Sequence, residues 1–532
     1  MKCNVSGDEQ EFKLKLFIGT IYTSYKPLEK VEAMIVAGDR VVYVGAAERA
    51  EAICREIGCE IHRLGKEVVL PGFIDAHAHL DGIGLKLNTI DLHGIRSIEE
   101  LKKVLKLHSH RFSKWVIGRG WDQELFQERR YPTRWDLDEA VPDKPVLIVR
   151  TCGHVGVVNS KALEMLRIDE VFRENPNLVR NEDGVPTGIV MEDVLSYIEK
   201  SMEFSIDEVK RFLLDAQQHV VKNGVTTMGF VNVSLRTLLA VFDLYRHGLI
   251  RLRLRLYLEP EALSMLESLG IQGALGDDMV RIQGIKVFAD GSLGGRTAWL
   301  SSPYSDDPRT TGTPLISKSK LEELATRVAK LGMQLAVHAI GDKAIDLVID
   351  VFEKLGHEPR LYRFRIEHAS LVRDDQLEKL HRLGVVAVVQ PHFIISDWWI
   401  VKRLGSERAR YAYRFKTMLD HGIPLAFSSD APVEPINPWE TVYAAVDRGK
   451  SLGIELANLT PYEGVDMLTA LHLYTYGSAY ALRDSRLGKL KPGYYADFII
   501  VDRDPLSLAE AGDIAKVHVV ATYVGGEAVY RE

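Results

Sequence analysis

Runs of alternating apolar and polar residues mark both ends of the chain. These β-type runs cover Lys13 to Tyr22, Ala33 to Ala37, Val41 to Val44, Ala496 to Val501 and Val517 to Val524. Short strands bounded by turn residues such as Gly525-Gly526 are typical of antiparallel sheets. We therefore expect residues 1–67 and 485–532 to build one small β-sandwich from both termini.

The middle of the chain alternates strand-like runs with helix-like segments. The eight runs are Val68 to Asp75, Val225 to Phe230, Arg251 to Leu258, Arg281 to Phe288, Gln334 to His338, Arg363 to His368, Val385 to Pro391 and Pro424 to Asp430. Helix signals lie between them, such as the capping box from Ser205 to Glu208 and the apolar stripe from Val209 to Val220. Eight such units predict an α/β fold, a (β/α)8 TIM barrel formed by residues 68–80 and 205–484.

A long stretch interrupts the barrel pattern after its first strand. Residues 81–204 carry both helix and strand signals, with aromatic turns such as Gly120-Trp121-Asp122, which is too much structure for a loop. We expect this stretch to be an inserted α+β lid domain that contributes to substrate binding.

Composition and charge limit the classes of partner. The 532 residues include 67 Lys and Arg against 74 Asp and Glu, and this balanced mixture argues against nucleic acid or an anionic membrane as partners. The longest apolar runs are strand-sized, and the first residues lack a secretion signal, so we expect a cytoplasmic protein that does not cross a membrane. The cysteines, Cys3, Cys54, Cys59 and Cys152, are expected to be reduced and mostly structural.

Candidate metal ligands recur where predicted barrel strands end. His77 and His79 close the first strand, and residues two apart in an extended chain point the same way. His338, His368 and Asp430 end the fifth, sixth and eighth strands. Because the carboxyl ends of barrel strands meet at one rim, we expect these five donors to surround a divalent cation.

The order of several motifs resembles the amidohydrolase superfamily over nearly the whole chain. Its opening signature is Pro71-Gly-Phe-Ile-Asp-Ala-His77-Ala-His79, and its closing motif is Lys491-Pro-Gly-Tyr-Tyr-Ala-Asp497. Five internal motifs are similar to the branch of N-substituted formamide deformylases. They are Gly118-Arg-Gly-Trp-Asp122, Lys286-Val-Phe-Ala-Asp290, Val337-His-Ala-Ile-Gly-Asp342, Arg365-Ile-Glu-His368 and Ser429-Asp430-Ala-Pro.

The resemblance implies that His77, His79 and Asp430 hold one metal and that His338 and His368 hold a second. It also implies that Lys286 is N6-carboxylated and bridges both, since only a carbamate offers two oxygens to two cations. An unmodified Lys286 paired with Asp290 is the alternative, and the site would then hold a single metal. The donors suit zinc, manganese, iron, cobalt and nickel, and we expect zinc.

The expected reaction is hydrolysis of a non-peptide amide, such as an N-formyl or N-acyl amine, by metal-activated hydroxide. Asp430 would accept the proton of the water and deliver it to the departing amine. Glu367 has two possible roles, orienting the site or pairing with a buried cation.

Substrate contacts are expected in the insertion and beyond strand ends, where barrel enzymes place recognition groups. The candidates are Trp121, Asp122, His154, Asn159, Asp290, Arg296, Gln390 and His392. Ordinary packing or surface roles are the alternative for each of them.

Two rival functions remain open, a mononuclear deaminase that needs no modified lysine and a non-catalytic barrel that keeps its metal. The expected partner is a small amide, and a homodimer is possible.

Overall fold

Three β-sheets organise the described part of the chain, residues 14–151 and 154–532 of this computed structural model. Two compact units contain them. The first comprises the chain up to Leu80 together with Ala216–Leu238 and Phe242–Glu532, and the second comprises Asp81–Asp215 with Leu239–Val241.

Both ends of the chain build one seven-stranded sheet within the first unit. Its strands in spatial order are Glu527–Arg531, Val519–Val524, Phe498–Val501, Cys59–Pro71, Leu14–Tyr25, Leu28–Ala37 and Arg40–Gly45. Alternating apolar residues place Phe17, Phe498 and Tyr523 in one buried cluster, where Phe498 stacks on Tyr523 with ring centroids 4.3 Å apart. Both termini therefore contribute strands to one β-sheet, as the sequence predicted, although the structure shows a single sheet where a sandwich was expected.

The structure corrects the prediction that the cysteines are reduced. The helix Ala47–Ile57 ends at Gly58, whose φ of 79° turns the chain back. This reversal brings the Cα atoms of Cys54 and Cys59 to 5.1 Å, and the two residues form a disulfide. Cys3 and Cys152 lie outside the described residues.

Eight parallel strands form the predicted barrel. They are Phe73–Ala78, Val225–Val233, Arg253–Leu258, Val280–Phe288, Gln334–Ala339, Arg365–His368, Val386–Val389 and Leu425–Phe427, here called barrel strands 1 to 8. A short antiparallel strand, Leu275–Gly276, pairs with strand 4. Residues after strand 8 meet strand 1, where Asp430 N donates to His77 O (2.9 Å) and His79 N donates to Ala431 O (2.8 Å). The (β/α)8 architecture is therefore confirmed.

The predicted first strand, Val68 to Asp75, is divided between two sheets. Val68 to Pro71 pairs with Phe498–Val501 in the terminal sheet, whereas barrel strand 1 begins at Phe73. The chain passes from one sheet to the other at Gly72. It lies so close to Thr226 there that a Cβ would be 2.4 Å from the Thr226 side chain, which only glycine avoids. The apolar run is continuous in sequence, so periodicity alone could not reveal the break.

Helices cover the barrel and connect its strands. They are Ile206–Lys222, Leu235–Arg246, Leu263–Ser268, Lys318–Lys330, Asp342–Lys354, Glu358–Leu361, Asp374–Leu383, Phe393–Ser396, Ile400–Ala409, Phe415–Asp420, Pro438–Asp447, Glu455–Leu459, Met467–His472 and Ser478–Ala481. The predicted capping box forms, because Ser205 Oγ accepts from Glu208 N (3.2 Å) and the Glu208 carboxylate accepts from Ser205 N (2.9 Å).

The second unit has its own six-stranded sheet. Its strands in spatial order are Leu178–Arg180, Pro186–Met191, Val155–Val158, Val146–Arg150, Val116–Trp121 and Ile90–Asp91. Its helices are Leu80–Asn88, Ile98–His108, Arg134–Ala140, Ser160–Met165, Ile168–Val171 and Glu192–Ser201. Successive residues of the strand Val146–Arg150 point to opposite faces of the sheet. Ile148 packs in the hydrophobic cluster on one face and Leu147 in the cluster on the other, so both faces are covered.

Across residues 14–151 and 154–532, no helix combines the length and the apolar character that crossing a membrane requires.

Candidate metal centre

His77 and His79 close barrel strand 1 with both imidazoles beside one carboxylate. The Nε2 atoms of His77 and His79 lie 3.2 and 3.3 Å from Oδ1 of Asp430. Potential ligand atoms of the three residues all lie within 4.8 Å of one another. The structure thus brings together three of the predicted ligands at a spacing that suits one divalent cation.

Asp430 is held in place by the junction between strands 8 and 1. Its backbone has a φ of 60°, a left-handed conformation that costs a non-glycine residue roughly 1 kcal/mol or more. The buried Asp75 carboxylate stabilises this turn, since it accepts from Ser429 N (3.1 Å), His77 N (3.1 Å) and Tyr474 Oη (3.1 Å). Burial raises the pKa of Asp75 to about 6.

Lys286, His338 and His368 line the same cavity as these three residues. Lys286 Nζ lies 3.5 Å from His77 Nε2, and the His368 ring lies 5.1 Å from that of His77 and 4.5 Å from that of His338, centroid to centroid. All six predicted metal ligands therefore meet at one end of the barrel.

Hydrogen bonds indicate which histidine nitrogens remain available for metal. His77 Nδ1 bonds Glu367 Oε2 (2.5 Å), and His368 Nδ1 bonds Gln390 Oε1 (2.7 Å), so Nε2 is available on both rings. His338 differs, because its Nε2 bonds Gly291 O (2.9 Å) and leaves Nδ1 available. A second-shell acceptor on the other ring nitrogen fixes the tautomer and orientation of a metal-binding histidine.

Glu367 takes both of the roles that the sequence left open. Besides its bond to His77, it receives a bidentate pair from Arg365, with Nε to Oε1 and Nη2 to Oε2 both at 2.7 Å. Arg365 also donates to Tyr257 Oη (2.8 Å) and Ala76 O (3.0 Å), and the side chains of Arg365 and Glu367 are fully buried. One paired carboxylate therefore both neutralises a buried cation and orients His77.

Burial sets the protonation of the cluster. Burial and the Lys286 charge lower the pKa of His338 to about 3, and burial with the His338 ring holds the pKa of His368 well below its usual value. Burial acts to raise the pKa of Asp430, but the hydrogen bond and charge of His77, together with His79, hold it well below its usual range. Burial lowers the pKa of Lys286 to about 8. Neutral imidazoles and an ionised carboxylate are the forms that bind metal.

The cavity in front of the cluster has a volume of about 430 Å³. Its walls are mostly apolar, and its further polar groups come from loops after the strands. The remaining lining residues are Phe288, Ser292, Leu293, Gly294, Ile340, Ser370, Phe393, Ser396, Asp397, Tyr413, Val433 and Glu434. None of these was among the predicted site residues. Ser370 and Glu434 follow predicted ligands by two and four residues, a signal that could have found them, whereas Tyr413 follows no predicted strand end.

The substrate candidates in the insertion contact other residues of the second unit. Trp121 is fully buried and lies 6.3 Å from Phe126, centroid to centroid, while Asp122 pairs with Arg150 at 2.8 Å. His154 is exposed, with Nδ1 3.3 Å from Glu192. Asn159 is buried and caps the helix Ser160–Met165. Their substrate roles stay predictions.

The substrate candidates in the barrel are also engaged with protein groups. Asp290 is fully buried and accepts from Trp299 N, Ile340 N and Gly341 N, at 2.8 to 3.0 Å. Arg296 forms a bidentate pair with Asp306, and His392 Nδ1 bonds Glu434. Asp290, Arg296, Gln390 and His392 are not among the residues that line the cavity, and Gln390 acts on the cluster through His368.

Comparison with known proteins gives consistent matches over most of the chain. A model of the amidohydrolase family matches residues 64–530. YtcJ of Bacillus subtilis is 33% identical, covering 97% of this chain and 98% of the relative. N-substituted formamide deformylase of Arthrobacter pascens is 26% identical, covering 93% and 94%. An uncharacterized metal-dependent hydrolase from Pyrococcus horikoshii has a TM-score of 0.83 at 43% identity, covering 94% of this chain and 99% of that one.

Proposed function

This chain belongs to the amidohydrolase family, and on that premise we propose that it hydrolyses the carbon–nitrogen bond of a small non-peptide amide with divalent metal. The family membership inferred from the motifs Pro71 to His79 and Lys491 to Asp497 is confirmed. The observation that carries the proposal is the convergence of His77 Nε2, His79 Nε2 and Asp430 Oδ1 at the head of a mostly apolar cavity.

The donor set suits a metal. Two imidazole nitrogens face one ionised carboxylate. Nε2 of His368 and Nδ1 of His338 are left available, because the other ring nitrogens bond Gln390 and Gly291. His77, His79 and Asp430 would hold one metal, His338 and His368 would hold a second, and N6-carboxylated Lys286 would serve as a ligand to both, with zinc as the expected ion. Bound metal supplies an acidic water and polarises the amide carbonyl.

The residues around the metal then move one proton. Asp430, ionised and directed at both histidines, accepts a proton from the water that adds to the carbonyl carbon. Asp430 returns this proton to the amide nitrogen as the carbon–nitrogen bond breaks, which releases a carboxylic acid and an amine. Glu367 keeps His77 oriented throughout, because its own carboxylate is fixed by Arg365.

N-formyl and N-acyl amines are the substrate class we favour. A relative covering most of this chain is named for deformylation of N-substituted formamides. The cavity volume of about 430 Å³ and its apolar wall of Phe288, Ile340 and Phe393 suit a small amide with a hydrocarbon substituent.

Replacing Asp430 tests the proton-transfer role. Asp430→Asn should lower kcat/KM on N-substituted formamides by roughly 10²–10⁴-fold, as for a lost acid–base group, while most of the metal stays bound. Metal per chain is measured by elemental analysis of the same samples. Asp420→Asn, at an exposed pair with Lys416, is the matched control and should behave as wild type. Near-normal turnover in Asp430→Asn would remove this role.

Metal content distinguishes the proposal from its rivals. The carboxylated Lys286 is supported by its lowered pKa, since a neutral amine is needed to add carbon dioxide, and by Asp290, whose carboxylate is engaged by backbone N–H groups. We expect two metals per chain, with occupancy that falls when carbon dioxide is depleted. Two bound metals beside an unmodified Lys286 amine would contradict the bridge. One metal and turnover of amine substrates would favour the deaminase, and bound metal without any turnover would favour the non-catalytic barrel.

A further inference from the structure

Charge is distributed unevenly around the catalytic cavity. The metal end holds the histidines and Lys286, and beyond it two carboxyl groups, Asp397 and Glu434, line the wall. Among the described residues that line the cavity, Lys286 is the only lysine or arginine. A substrate therefore meets acceptors, and no free cation, once its amide has reached the metal ligands.

The Asp397 carboxyl has one oxygen engaged and one available. Its Oδ2 accepts from Tyr413 Oη at 2.5 Å, and among residues 14–151 and 154–532 no partner is found for Oδ1. Burial, opposed by the Tyr413 hydrogen bond and reinforced by Glu434, raises the pKa of Asp397 to about 7. Asp397 is partly exposed and lines the cavity, so Oδ1 can accept a hydrogen bond from a donor on the substrate.

Tyr413 is held rigidly, so the acceptor is preorganised. Its backbone has a φ of 52°, its N–H donates to Ser370 O (2.8 Å), and its carbonyl accepts from the buried Arg448 (2.9 Å). Glu434 is fixed as well, by His392 and by Ser396 Oγ (2.6 Å). Groups locked by neighbouring contacts lose little entropy when a ligand binds.

Arg403, whose charge acts on Asp397, and Arg296 are both engaged with other protein groups. Arg403 stacks over Trp399 at 4.7 Å and donates to Gly294 O (2.9 Å) and Asp306 (3.4 Å). Arg296 forms its bidentate pair with the same Asp306. A carboxylate on the substrate would therefore face Asp397 and Glu434, and the Arg403 charge that reaches Asp397 is already shared with Asp306, which is a repulsive arrangement.

We propose that Asp397, seated by Tyr413 and flanked by Glu434, is a specificity-determining residue that selects amides bearing an amine on their non-reacting part and rejects amides bearing a carboxylate. This inference rests on the proposed amide hydrolysis, because it concerns the same cavity. The favoured substrate is thus an N-acylated diamine, and N-acyl amino acids are excluded.

Three formamides of equal length test the charge preference of the metal-replete enzyme. They are N-(4-aminobutyl)formamide, N-pentylformamide and 5-formamidopentanoate, which carry a cation, a methyl group and an anion at the same position. We expect kcat/KM for the cation to exceed that for the anion by at least about 10-fold, the effect of one hydrogen bond to a charged group. Equal values, or a preference for the anion, would overturn the proposal.

The variant Asp397→Asn assigns the preference to one side chain. In this variant the ratio of kcat/KM for the cationic formamide to kcat/KM for the anionic one should fall toward unity. The exposed control Asp420→Asn should keep the wild-type ratio. An unchanged ratio in folded Asp397→Asn would exclude Asp397 as the selector. Tyr413→Phe removes the hydrogen bond to Asp397 but leaves its carboxylate in place. This variant should still prefer the cationic formamide, and a preference for the anionic one would contradict the proposal even if Asp397→Asn folds poorly.

Binding separates this inference from the proposed reaction. Dissociation constants for the same three compounds, measured by calorimetry, should follow the same order even without turnover. If the neutral formamide is not hydrolysed while the cation still binds most tightly, amide hydrolysis fails and the charge selection stands. If all three are hydrolysed and bound alike, the reaction stands and the selection fails.

Discussion

At the scale of single residues, Glu367 connects the proposed metal ligands to the charged interior of the barrel. Its carboxylate lies between His77 and Arg365. Burial acts to raise its pKa, but the charges and hydrogen bonds of Arg365 and His77 together hold that pKa well below its usual range. The histidine is therefore oriented by a group that stays ionised. The sequence motif Arg365-Ile-Glu-His368 contained two of the three participants, Arg365 and Glu367, and only the barrel closure brings His77 near them.

Neutralising Glu367 should weaken metal binding. In Glu367→Gln the side chain keeps its shape but loses the charge that orients His77, and we expect metal affinity to fall about 10–100-fold. The unpaired Arg365 should also destabilise the fold, by roughly 3–5 kcal/mol for a buried pair that loses one partner. Competition with a chromophoric chelator measures the first effect, and urea unfolding measures the second.

A second buried ion pair offers the control. Arg253 and Asp497 form a bidentate pair at 2.6 and 3.0 Å, and both are buried, but neither contacts a predicted metal ligand in the part of the chain that the structure describes. Asp497→Asn should therefore lower the free energy of unfolding and leave the metal dissociation constant unchanged. If both variants weaken metal binding equally, the orienting role of Glu367 is wrong.

At the scale of elements, the sequence predicted the strands well and their ends less well. Apolar runs located all eight barrel strands, because a strand buried on both faces is apolar throughout. Strand 8 was predicted to reach Asp430 but ends at Phe427, since the left-handed turn at Asp430 leaves the ladder. No local pattern in the sequence predicted that Tyr413 lines the cavity, because an isolated β-bridge between Leu371 and Ala412 places it there. Long-range contacts of this kind are absent from periodicity.

Barrel strands 1 and 2 pack closely at Gly229, and a substitution there tests whether the position of strand 1 controls metal binding. A Cβ at Gly229 would lie 2.1 Å from Ala76 O, a backbone atom that cannot move without shifting strand 1. We expect Gly229→Ala to destabilise the protein by roughly 1–3 kcal/mol, the usual range for overpacking, and to weaken metal binding through displacement of His77. Denaturant midpoints and metal content measure both effects.

Gly65→Ala is the matched control for this substitution. Gly65 also lies in a strand, its φ is not in the left-handed region, and a Cβ there meets nothing within 4 Å. It should unfold as wild type does. A Gly229→Ala protein as stable and as metal-rich as Gly65→Ala would show that strand 1 has more freedom than the contact at Ala76 allows.

At the scale of the whole molecule, the metal candidates connect distant parts of the chain. His77, Lys286, His338, His368 and Asp430 come from strands 1, 4, 5 and 6 and from the turn after strand 8. Motif order was enough to predict that they meet, because parallel barrel strands all end at one rim. The extent of the insertion, Asp81–Asp215, is less visible in the sequence, since one continuous helix, Ile206–Lys222, carries the chain past the predicted boundary at residue 204.

Removing the metal should therefore loosen the barrel and leave the insertion sheet unaffected. A ligand that binds only the folded state stabilises it by about 4 kcal/mol at 1,000 times its Kd, so chelation should lower the thermal midpoint of the protein. Hydrogen exchange should quicken in the eight barrel strands, which the ligands connect, and stay constant in the sheet that contains Val146–Arg150.

The His77→Ala/His79→Ala double variant provides the reference for this experiment, because it lacks two of the proposed ligands. Its midpoint and exchange rates should respond little to a chelator. If wild-type exchange instead quickened equally in both sheets, the metal would stabilise the chain in some way other than by joining the ends of barrel strands. An unchanged midpoint on chelation would mean that the six side chains meet at the rim without binding metal tightly.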